Sequence, residues 1–465
     1  MKLTIIGSGP GGYVAALKAA RLGAQVTIIE DTEVGGTCLN RGCIPTKSLV
    51  ASVEVLQKAK RLDEYGIDIH GEIHPNLSKI MERKNKIVST QVRGIRALFK
   101  SWGITLIEGR GMILTPEKVE VRKKDGRTEE IETDKIIIAT GSRPAELPMF
   151  PLDGEHILSS DHALAMNSIP KSLIIIGAGV IGCEFACIFR ELGTEITIVE
   201  MMPGALASED LEISALLNRE LIKKKIKLLY GVRVDRVEHS PDGIHVNLNS
   251  GEELIAEKLL VSIGRALNVE NIGLEALGIL KGPRGEIVVN DRMETNIGGI
   301  YAIGDVTGGP LLAHVASKGG LVAACNSCGI DTRMDYSVVP AGTFTSPEIG
   351  SVGLREQQAA EQGINVKVGR FQFRMLGKAH VIGEITGMVK ILADAGSGKV
   401  LGMHVIGPHA SDLVHEGALA MQAGLTAEGI AGMMHAHPTL AECVMEAAAD
   451  VYGEAIHALK TGDRQ

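Results

Sequence analysis

Aromatic residues are scarce in this chain of 465 residues, which has 1 Trp, 6 Tyr and 7 Phe. A basic excess is also missing, because 48 Lys and Arg stand against 56 Asp and Glu and leave a net charge of −8. The chain therefore has neither a basic stripe nor aromatic platforms for stacking bases, and we expect no nucleic-acid partner. Glycine is abundant instead, with 56 residues, which suits α/β packing and tight turns around nucleotides.

Long apolar segments are missing as well. No run of 18 or more apolar residues lacks charges or strong breakers, so we predict no membrane span. The chain enters an apolar strand at Lys2, and no signal-peptide pattern precedes that strand. Seven cysteines without such a signal favour a reducing compartment. We therefore expect a cytoplasmic protein in which a disulfide would be catalytic rather than structural.

Two segments of the chain repeat one another. Lys2–Glu30 and Ser172–Glu200 align without a gap, and each has an apolar run, GxGxxG, a helical pattern, Leu-Gly, a second apolar run and a final Glu. This is the pattern of a dinucleotide-binding βαβ unit, and its repetition makes it more specific than a lone GxGxxG. The glycines for the turn, the pyrophosphate and the helix packing are Gly7, Gly9 and Gly12 in the first copy and Gly177, Gly179 and Gly182 in the second.

A glutamate ends each repeat, where its carboxylate can accept hydrogen bonds from ribose hydroxyls. These residues are Glu30 and Glu200. Glu200 would repel a 2′-phosphate, which favours NAD over NADP at the second repeat. The alternative, two strand–turn–helix units without a ligand, is disfavoured because both fingerprints are complete.

A cysteine pair follows the first repeat in the run GGTCLNRGCIPTKS. Gly42 can loosen the turn between Cys38 and Cys43, and Pro45 suits the first turn of a helix. We therefore predict Cys43 at a helix N-terminus with Lys47 one turn further on, where the dipole and the charge both favour a thiolate. The alternative is two buried structural thiols, which would need no such arrangement of Gly, Pro and Lys.

Two later motifs leave alternatives open. The strand in GIYAIGDV ends at Asp305, which can reach ribityl or phosphate oxygens of a cofactor or serve only a strand-end turn. In HAHPTLAE, His437 precedes a helix start and Glu442 lies on its first turns, as in a proton shuttle. A loop histidine satisfied by a helix-start carboxylate fits this pattern equally well. His435 and His437 lack a third ligand at a suitable spacing, so we predict no metal site.

The pattern of strands and helices changes along the chain. A Pro-rich crossing from Pro144 to Pro151 suggests a domain boundary, and from about Tyr336 alternating strands precede two helices, at about 411–424 and 439–459. With the length, which predicts about three domains, this indicates an α/β protein. We predict two Rossmann-like dinucleotide-binding domains and a C-terminal α+β domain.

The motifs GSGPGG, GGTCLNRGCIPTK, ATGS, GAGVIGCE, GIYAIGDV and HAHPTLAE, in this order, resemble those of the flavin-dependent pyridine nucleotide–disulfide oxidoreductases over essentially the whole chain. The resemblance implies that Cys43 is the thiol next to the flavin and that Cys38 exchanges with the substrate. It also implies that Lys47 lies near the flavin and pairs with Glu184 of GCEFA.

The same resemblance implies that His437, oriented by Glu442, is the acid–base and comes from the other subunit of an obligate homodimer. It assigns 1–146 with 270–335 to an FAD-binding domain, 147–269 to an NAD-binding domain and 336–465 to a dimerisation domain. The implied FAD contacts are Gly7, Gly9, Gly12, Glu30, Lys47, Gly111, Thr140, Gly141, Asp305 and Ala313. The implied NAD contacts are Gly177, Gly179, Gly182, Glu200, Val234 and Gly264.

Subfamilies differ at positions that can be read here. The C-terminal run KTGDRQ lacks the cysteine pair of mercuric and large thioredoxin reductases. Met201 and Met202 stand where NADPH-dependent glutathione and trypanothione reductases have basic residues, and both active-site cysteines are present, unlike in soluble transhydrogenases. The CxxC at Cys325 and Cys328 departs from the family pattern, and we assign it no role.

The resemblance therefore implies that the chain oxidises protein-bound dihydrolipoamide and passes the electrons through a Cys38–Cys43 disulfide and FAD to NAD⁺. The implied partner is a lipoyl-domain-bearing acyltransferase of a 2-oxo acid dehydrogenase complex or the carrier protein of glycine cleavage. Two alternatives are an NADH-dependent reductase of another small disulfide and a catalytically silent flavoprotein subunit.

Overall fold

The computed structural model of the chain describes residues 1–458. Its strands are β1 (Lys2–Ile6), β2 (Gln25–Glu30), β3 (Thr105–Glu108), β4 (Arg110–Thr115), β5 (Lys118–Arg122), β6 (Thr128–Glu132), β7 (Lys135–Ile138), β8 (Ser142–Pro144), β9 (Ile157–Leu158), β10 (Ser172–Ile176), β11 (Glu195–Glu200), β12 (Lys227–Tyr230), β13 (Val234–Ser240), β14 (Gly243–Leu248), β15 (Glu253–Ala256), β16 (Lys258–Val261), β17 (Arg265–Leu267), β18 (Ile300–Ala302), β19 (Ala341–Thr343), β20 (Ile349–Gly353), β21 (Val366–Gln372), β22 (Met388–Asp394) and β23 (Val400–Ile406).

The helices are α1 (Pro10–Arg21), α2 (Gly36–Arg41), α3 (Cys43–Ala59), α4 (Leu77–Ser101), α5 (Ser160–Ala163), α6 (Val180–Leu192), α7 (Leu211–Lys223), α8 (Ala313–Ser327), α9 (Glu356–Glu361), α10 (Gly377–Val381), α11 (Ala410–Gln422), α12 (Ala427–Ala431) and α13 (Glu442–Asp450), with 3₁₀ turns at Leu62–Tyr65, Gly304–Thr307 and Phe373–Met375. Within residues 1–458, no helix is both long and apolar enough to cross a membrane.

The chain divides into two compact units. Unit 1 comprises Met1–Ser168 and Ile263–Asp335, and unit 2 comprises Ile169–Ser262 and the chain from Tyr336 onward. Unit 2 thus holds both the second fingerprint and the C-terminal region, while residues 263–269 lie in unit 1. The division into three functional domains stays a prediction.

Unit 1 is built on a five-stranded parallel sheet with the strand order β18-β7-β1-β2-β3. The strands are short and rich in isoleucine, and Ile5, Ile28 and Ile137 in the three central strands are fully buried. Parallel strands covered on both faces read as continuous apolar runs, which is why these segments show no alternation. A smaller antiparallel sheet, β4-β5-β6, belongs to the same unit.

Unit 2 contains three further sheets, the smallest of which is the antiparallel sheet β13-β14-β15. The two strands of the second repeat lie in a parallel arrangement β16-β10-β11-β12, which corresponds to β7-β1-β2-β3 of the first sheet. The C-terminal region forms an antiparallel sheet with the order β19-β20-β23-β22-β21. A Cβ on Gly369 of β21 would lie 2.1 Å from the carbonyl oxygen of Ala447 on α13, so this glycine lets α13 pack closely on the sheet.

The strands predicted in the C-terminal region are confirmed as β21, β22 and β23. The predicted helix over 411–424 is confirmed as α11, and the short helix α12 that follows it was not predicted. The helix predicted over 439–459 is wrong in extent, because α13 covers only Glu442–Asp450. Gly453, with φ of 74°, lies just beyond this helix in a left-handed conformation that ends helices; residue 459 lies outside the described residues.

A buried lysine in the C-terminal sheet ties unit 2 together. Lys390 of β22 is 1% exposed, and its Nζ donates to both carboxylate oxygens of Asp210, at 2.8 and 2.9 Å. Its Nζ also lies 2.6 Å from Glu356 and 3.2 Å from Glu212, and both carboxylates accept hydrogen bonds from Arg370. Asp210 caps the start of α7 and is fully buried, so this network joins the nucleotide-binding half of unit 2 to its C-terminal sheet.

Candidate active site

The two cysteines of the first motif lie on consecutive helices. Cys38 is in α2, and Cys43 is the first residue of α3, with Gly42 between the helices. A Cβ on Gly42 would lie 3.0 Å from the carbonyl oxygen of Thr37 and 3.3 Å from the Cα of Cys38. The prediction that a helix begins at Cys43 is confirmed, and the break at Gly42 lets the two cysteines approach closely.

The structure holds Cys38 and Cys43 as thiols in contact. A hydrogen bond with the Cys43 side chain, and then burial, raise the pKa of the Cys38 thiol far above its ordinary value, and the charge of Lys47 only partly opposes this. The two thiols therefore influence each other's ionisation directly. Cys43 lies at a helix N-terminus with Lys47 one turn further on, where a thiolate is stabilised.

The first fingerprint forms a cradle of backbone around the start of α1. A Cβ on Gly12 would lie 1.9 Å from the carbonyl oxygen of Gly7, and one on Gly36 would lie 2.6 Å from the Cα of Gly9. No side chain caps α1, so the backbone N–H groups of its first turn point outward from Gly9. This geometry fits a pyrophosphate resting on a helix N-terminus.

Glu30 is 6% exposed and lies at the end of β2, as predicted. One of its oxygens accepts from the backbone N–H and hydroxyl of Ser8, at 2.8 and 2.6 Å. The other accepts from the N–H and hydroxyl of Thr32, both at 2.9 Å. A carboxylate has about four acceptor positions. These four hydrogen bonds fill those positions, so a ribose hydroxyl would bind Glu30 by displacing one of the Ser8 or Thr32 hydroxyls.

Replacing Gly12 by Ala is expected to yield protein depleted of flavin. The methyl group would overlap the carbonyl oxygen of Gly7, and relieving such overpacking costs about 1–3 kcal/mol, or about 5- to 150-fold in FAD affinity. Flavin absorbance per chain after purification measures the effect. Gly94→Ala on α4 is the matched control, because a Cβ there meets no atom within 4 Å. Full flavin content in Gly12→Ala would contradict the fit.

Asp305 follows β18 within the 3₁₀ turn Gly304–Thr307. It accepts a short hydrogen bond from the hydroxyl of Ser142, and its carboxylate lies 4.0 Å from Nε of Arg265. Arg265 itself donates to the hydroxyl and the carbonyl oxygen of Ser142, both at 2.7 Å. Asp305 is therefore held in a network and does more than close a turn.

The other residues predicted to contact FAD lie in unit 1 at strand ends and helix starts. Gly111 is on β4, and Thr140 and Gly141 follow β7. The Thr140 hydroxyl donates to the carbonyl oxygen of Asn268 at 2.6 Å. Ala313 is the first residue of α8, whose N-terminus also lacks a side-chain cap.

The second fingerprint repeats the first in unit 2. A Cβ on Gly182 would lie 2.0 Å from the carbonyl oxygen of Gly177, and α6, which begins after Gly179, has no side-chain cap. Glu200 accepts backbone N–H groups from Ala178 at 2.7 Å and Met202 at 2.8 Å, one on each oxygen. Both carboxylate oxygens therefore keep acceptor capacity for ribose hydroxyls.

The remaining two residues predicted to contact NAD lie on different elements. Val234 begins β13 and is buried. Gly264 precedes β17 with φ of 118°. Met201 and Met202, which follow Glu200, are 67% and 48% exposed, so apolar side chains stand where a 2′-phosphate would need basic ones.

His437 and Glu442 form the pair predicted from the sequence. The Nδ1 of His437 lies 2.8 Å from the Glu442 carboxylate, whose other oxygen accepts the N–H of Thr439 at 2.8 Å. Burial disfavours ionised Glu442, but hydrogen bonds from His437 and Thr439 outweigh it and hold the pKa of this carboxyl below its ordinary value. With Nδ1–H donated to Glu442, Nε2 of His437 is the basic nitrogen, and the side chain is 77% exposed.

Glu184 lies on α6, is buried, and accepts the backbone N–H of Phe344 at 2.9 Å. Lys47 and the cysteines belong to unit 1, whereas Glu184, His437 and Glu442 belong to unit 2. The pairing of Lys47 with Glu184 and the meeting of the dithiol with His437 therefore stay predictions.

The other cysteines are packing residues. Cys183, Cys187, Cys325 and Cys443 are buried, and burial raises the pKa of Cys187 to about 11. Cys328 is half-buried at the end of α8, and burial raises the pKa of its thiol as well. Thiols of this kind are poor nucleophiles near neutral pH, in contrast to a thiol at a helix N-terminus.

Sequence reasoning missed several residues that hold the site together. Ser142 stood within the quoted ATGS motif, but nothing in the sequence pointed to its contact with Asp305. Arg265 gave no signal because its partner Ser142 is 123 residues away in the sequence, whereas Thr32 lies two residues after Glu30 and was overlooked despite this local spacing. His435 was weighed only as a metal ligand, and its partner Glu416 lies 2.8 Å away on α11.

Two family models match the chain. The model of the pyridine nucleotide-disulphide oxidoreductases matches residues 1–320, and the dimerisation domain of the same family matches residues 339–448. The chain therefore carries the region through which members form homodimers.

Individual proteins of this family are also similar to the chain over nearly its whole length. The chain is 41% identical to the dihydrolipoyl dehydrogenase of Bacillus subtilis over 469 residues, covering 98% of both chains. Among solved structures, LpdA from Mycobacterium tuberculosis is similar with a TM-score of 0.91 and 30% identity, covering 96% of this chain and 99% of that one. The HOCl-induced flavoprotein disulfide reductase RclA from Escherichia coli has a TM-score of 0.86 and 26% identity, covering 97% and 99%. The chain therefore belongs to the pyridine nucleotide-disulphide oxidoreductases and is an oxidoreductase that uses FAD and NAD(H).

Proposed function

We propose that this protein is a dihydrolipoyl dehydrogenase, which oxidises dihydrolipoamide and passes two electrons through the Cys38–Cys43 pair to NAD⁺. The observation that carries the proposal is the pair of contacting thiols at the start of α3, beside a backbone cradle that fits a flavin dinucleotide. The full-length similarity to the Bacillus subtilis dihydrolipoyl dehydrogenase supports lipoamide as the substrate.

In the proposed reaction the oxidised enzyme carries a Cys38–Cys43 disulfide. His437 of the partner subunit accepts a proton at Nε2 from one thiol of dihydrolipoamide, while Glu442 holds its Nδ1–H. The resulting thiolate attacks Cys38, and the Cys38–Cys43 bond breaks. The second substrate thiol then displaces Cys38, which closes the lipoyl disulfide and leaves both cysteines reduced.

We assign the cofactor sites to the residues expected from the sequence. FAD is held by Gly7, Gly9, Gly12, Glu30, Lys47, Gly111, Thr140, Gly141, Asp305 and Ala313, and NAD by Gly177, Gly179, Gly182, Glu200, Val234 and Gly264. Bound FAD supplies the two-electron carrier between the dithiol and the nicotinamide. We also propose, from the resemblance, that Lys47 pairs with Glu184 and steadies charge on the flavin.

The proposed physiological partner is a protein that carries a lipoyl arm, either the acyltransferase of a 2-oxo acid dehydrogenase complex or the carrier protein of glycine cleavage. A cytoplasmic location follows from the same proposal and from the cysteine usage of the sequence. Pull-down of the purified protein with an isolated lipoyl domain, compared with the same domain lacking its lipoyl group, tests the partner.

Steady-state oxidation of NADH and NADPH, with lipoamide and glutathione disulfide as acceptors, tests the proposed substrates. We expect rapid turnover of NADH with lipoamide and little with NADPH, because Glu200 would repel a 2′-phosphate and Met201 and Met202 supply no positive charge. We expect little turnover with glutathione disulfide. NADPH preference would overturn the assignment of Glu200, and a reducible flavin without lipoamide turnover would overturn the substrate.

A second candidate is a reductase of another disulfide, which the likeness to the disulfide reductase RclA favours. It shares the dithiol and the cofactors, so only acceptor preference separates it from the first. A silent flavoprotein is disfavoured because the cysteines, Lys47, Glu184, His437 and Glu442 are all present. Bleaching of the bound flavin by NADH would exclude a silent subunit.

A further inference from the structure

Two histidines lie two residues apart in the segment between α12 and α13, and their environments differ. His437 has a side chain that is 77% exposed and pairs with Glu442. The His435 side chain is only 3% exposed and pairs with Glu416 of α11, at 2.8 Å between Nε2 and the carboxylate. The chain thus contains a second histidine–glutamate pair next to the one assigned to acid–base chemistry.

Both ring nitrogens of His435 face acceptors. Nε2 faces the Glu416 carboxylate at 2.8 Å, and Nδ1 faces the carbonyl oxygen of Met433 at 3.1 Å. A carboxylate and a carbonyl both accept, so each ring nitrogen of His435 faces a group to which an imidazole N–H can donate. A histidine held at both nitrogens has little freedom to turn.

The segment that carries both histidines has little regular structure of its own. It runs from the end of α12 at Ala431 to the start of α13 at Glu442. After His437 it is fixed by Thr439, whose N–H donates to Glu442 and whose hydroxyl donates to the carbonyl oxygen of Ala436 at 2.7 Å. Before His437, the His435 pair fixes it to α11. His437 is therefore held between two anchors.

We propose that His435, held by Glu416, is a positioning residue that fixes the backbone on which His437 presents its Nε2 to the substrate. The inference rests on the proposed function, because it takes His437 as the acid–base. His435 touches no reacting atom in this role. It acts by keeping His437 in line with Glu442, so its loss should slow proton transfer without removing the base.

Stopped-flow measurement of the two half-reactions tests the proposal. In His435→Ala, reduction of the oxidised enzyme by dihydrolipoamide is expected to slow about 10- to 100-fold, since misplacement by about 1 Å can cost that much. Reduction of the flavin by NADH is expected to stay within about twofold, because it needs no acid–base at His437. His435→Gln should recover part of the rate, since its amide can donate to Glu416.

The pH dependence separates positioning from chemistry. In His435→Ala, the rate of reduction by dihydrolipoamide should still rise with pH as in wild type, but to a lower plateau. In His437→Gln, this rise of the rate with pH should be lost. The double variant Glu416→Gln with His435→Ala should react only slightly more slowly than His435→Ala alone, because both substitutions remove the same contact between His435 and Glu416. His415→Ala is the matched control, because this histidine is exposed on α11 and its imidazole hydrogen-bonds to the carbonyl oxygen of Ser411 on the same helix.

Three results would overturn the inference. They are a dihydrolipoamide rate in His435→Ala within twofold of wild type, an equal loss in both half-reactions, and a loss of the pH limb. If His437→Gln is inactive while His435→Ala is unaffected, the proposed function stands and the inference is wrong. If the wild-type enzyme does not react with dihydrolipoamide at all, the proposed function itself has failed.

Discussion

Replacing Cys43 by Ser is expected to lower lipoamide turnover by on the order of a thousandfold or more, while FAD stays bound. Cys43 is the first residue of α3 and receives the hydrogen bond of Cys38. A serine hydroxyl at this position cannot form the disulfide that accepts electrons from the substrate, and it is not ionised near neutral pH. The loss is therefore one of chemistry, and the fold and the cradle for the dinucleotide are unchanged.

Three measurements make this result specific. Flavin absorbance per chain should match wild type, and NADH should still bleach the flavin, since neither needs the dithiol. Cys328→Ser is the matched control, because it replaces a half-buried thiol at the end of α8, and it should retain full lipoamide turnover. Substantial lipoamide turnover in Cys43→Ser would mean that electrons reach the flavin by a route that avoids this pair.

The sequence predicted the parts of the site that depend on short-range physics. The turn at Gly7, the glutamate that ends β2 and the helix start at Cys43 each follow from a handful of neighbouring residues. The contact between His437 and Glu442 was also predictable, because both belong to one loop–helix junction. In each case the partners are close in sequence, so the fold adds little to what the local backbone already requires.

Contacts between distant segments were not predictable. His435 and Glu416 are 19 residues apart on different elements and meet only in the folded chain, and no pattern links the two residues in sequence. Lys390 reads in the sequence as one polar residue in an apolar strand, with nothing to show that Asp210 lies beside it. Such pairs are fixed by the packing of whole elements, which a single sequence does not specify.

Lys390 is expected to be essential for the stability of unit 2. Burial disfavours its charged form, but hydrogen bonds to Asp210 and Glu356 outweigh this and hold the pKa of Lys390 above its ordinary value. Burial likewise disfavours ionised Asp210, but the hydrogen bond and the charge of Lys390 outweigh this effect. The pKa of Asp210 therefore lies below its ordinary value. Above the unfolded pKa of about 4, ionised Asp210 thus stabilises the fold, and this contribution is lost as pH falls. Below about pH 10, charged Lys390 stabilises the fold, and this contribution is lost as pH rises.

Lys390→Met should therefore lower the free energy of unfolding by about 3–5 kcal/mol, because it leaves Asp210 buried and ionised without its partner. Adding Asp210→Asn should recover part of the loss, since Glu212 and Glu356 are partly exposed and can be hydrated instead. Urea unfolding at fixed protein and FAD concentrations measures both variants, with Lys399→Met at an exposed position as the control.

The difference in the free energy of unfolding between wild type and Lys390→Met should be largest between about pH 5 and 9 and should shrink below about pH 4. A loss below 1 kcal/mol at neutral pH, or one that grows on acidification, would show that the network does not carry this stability.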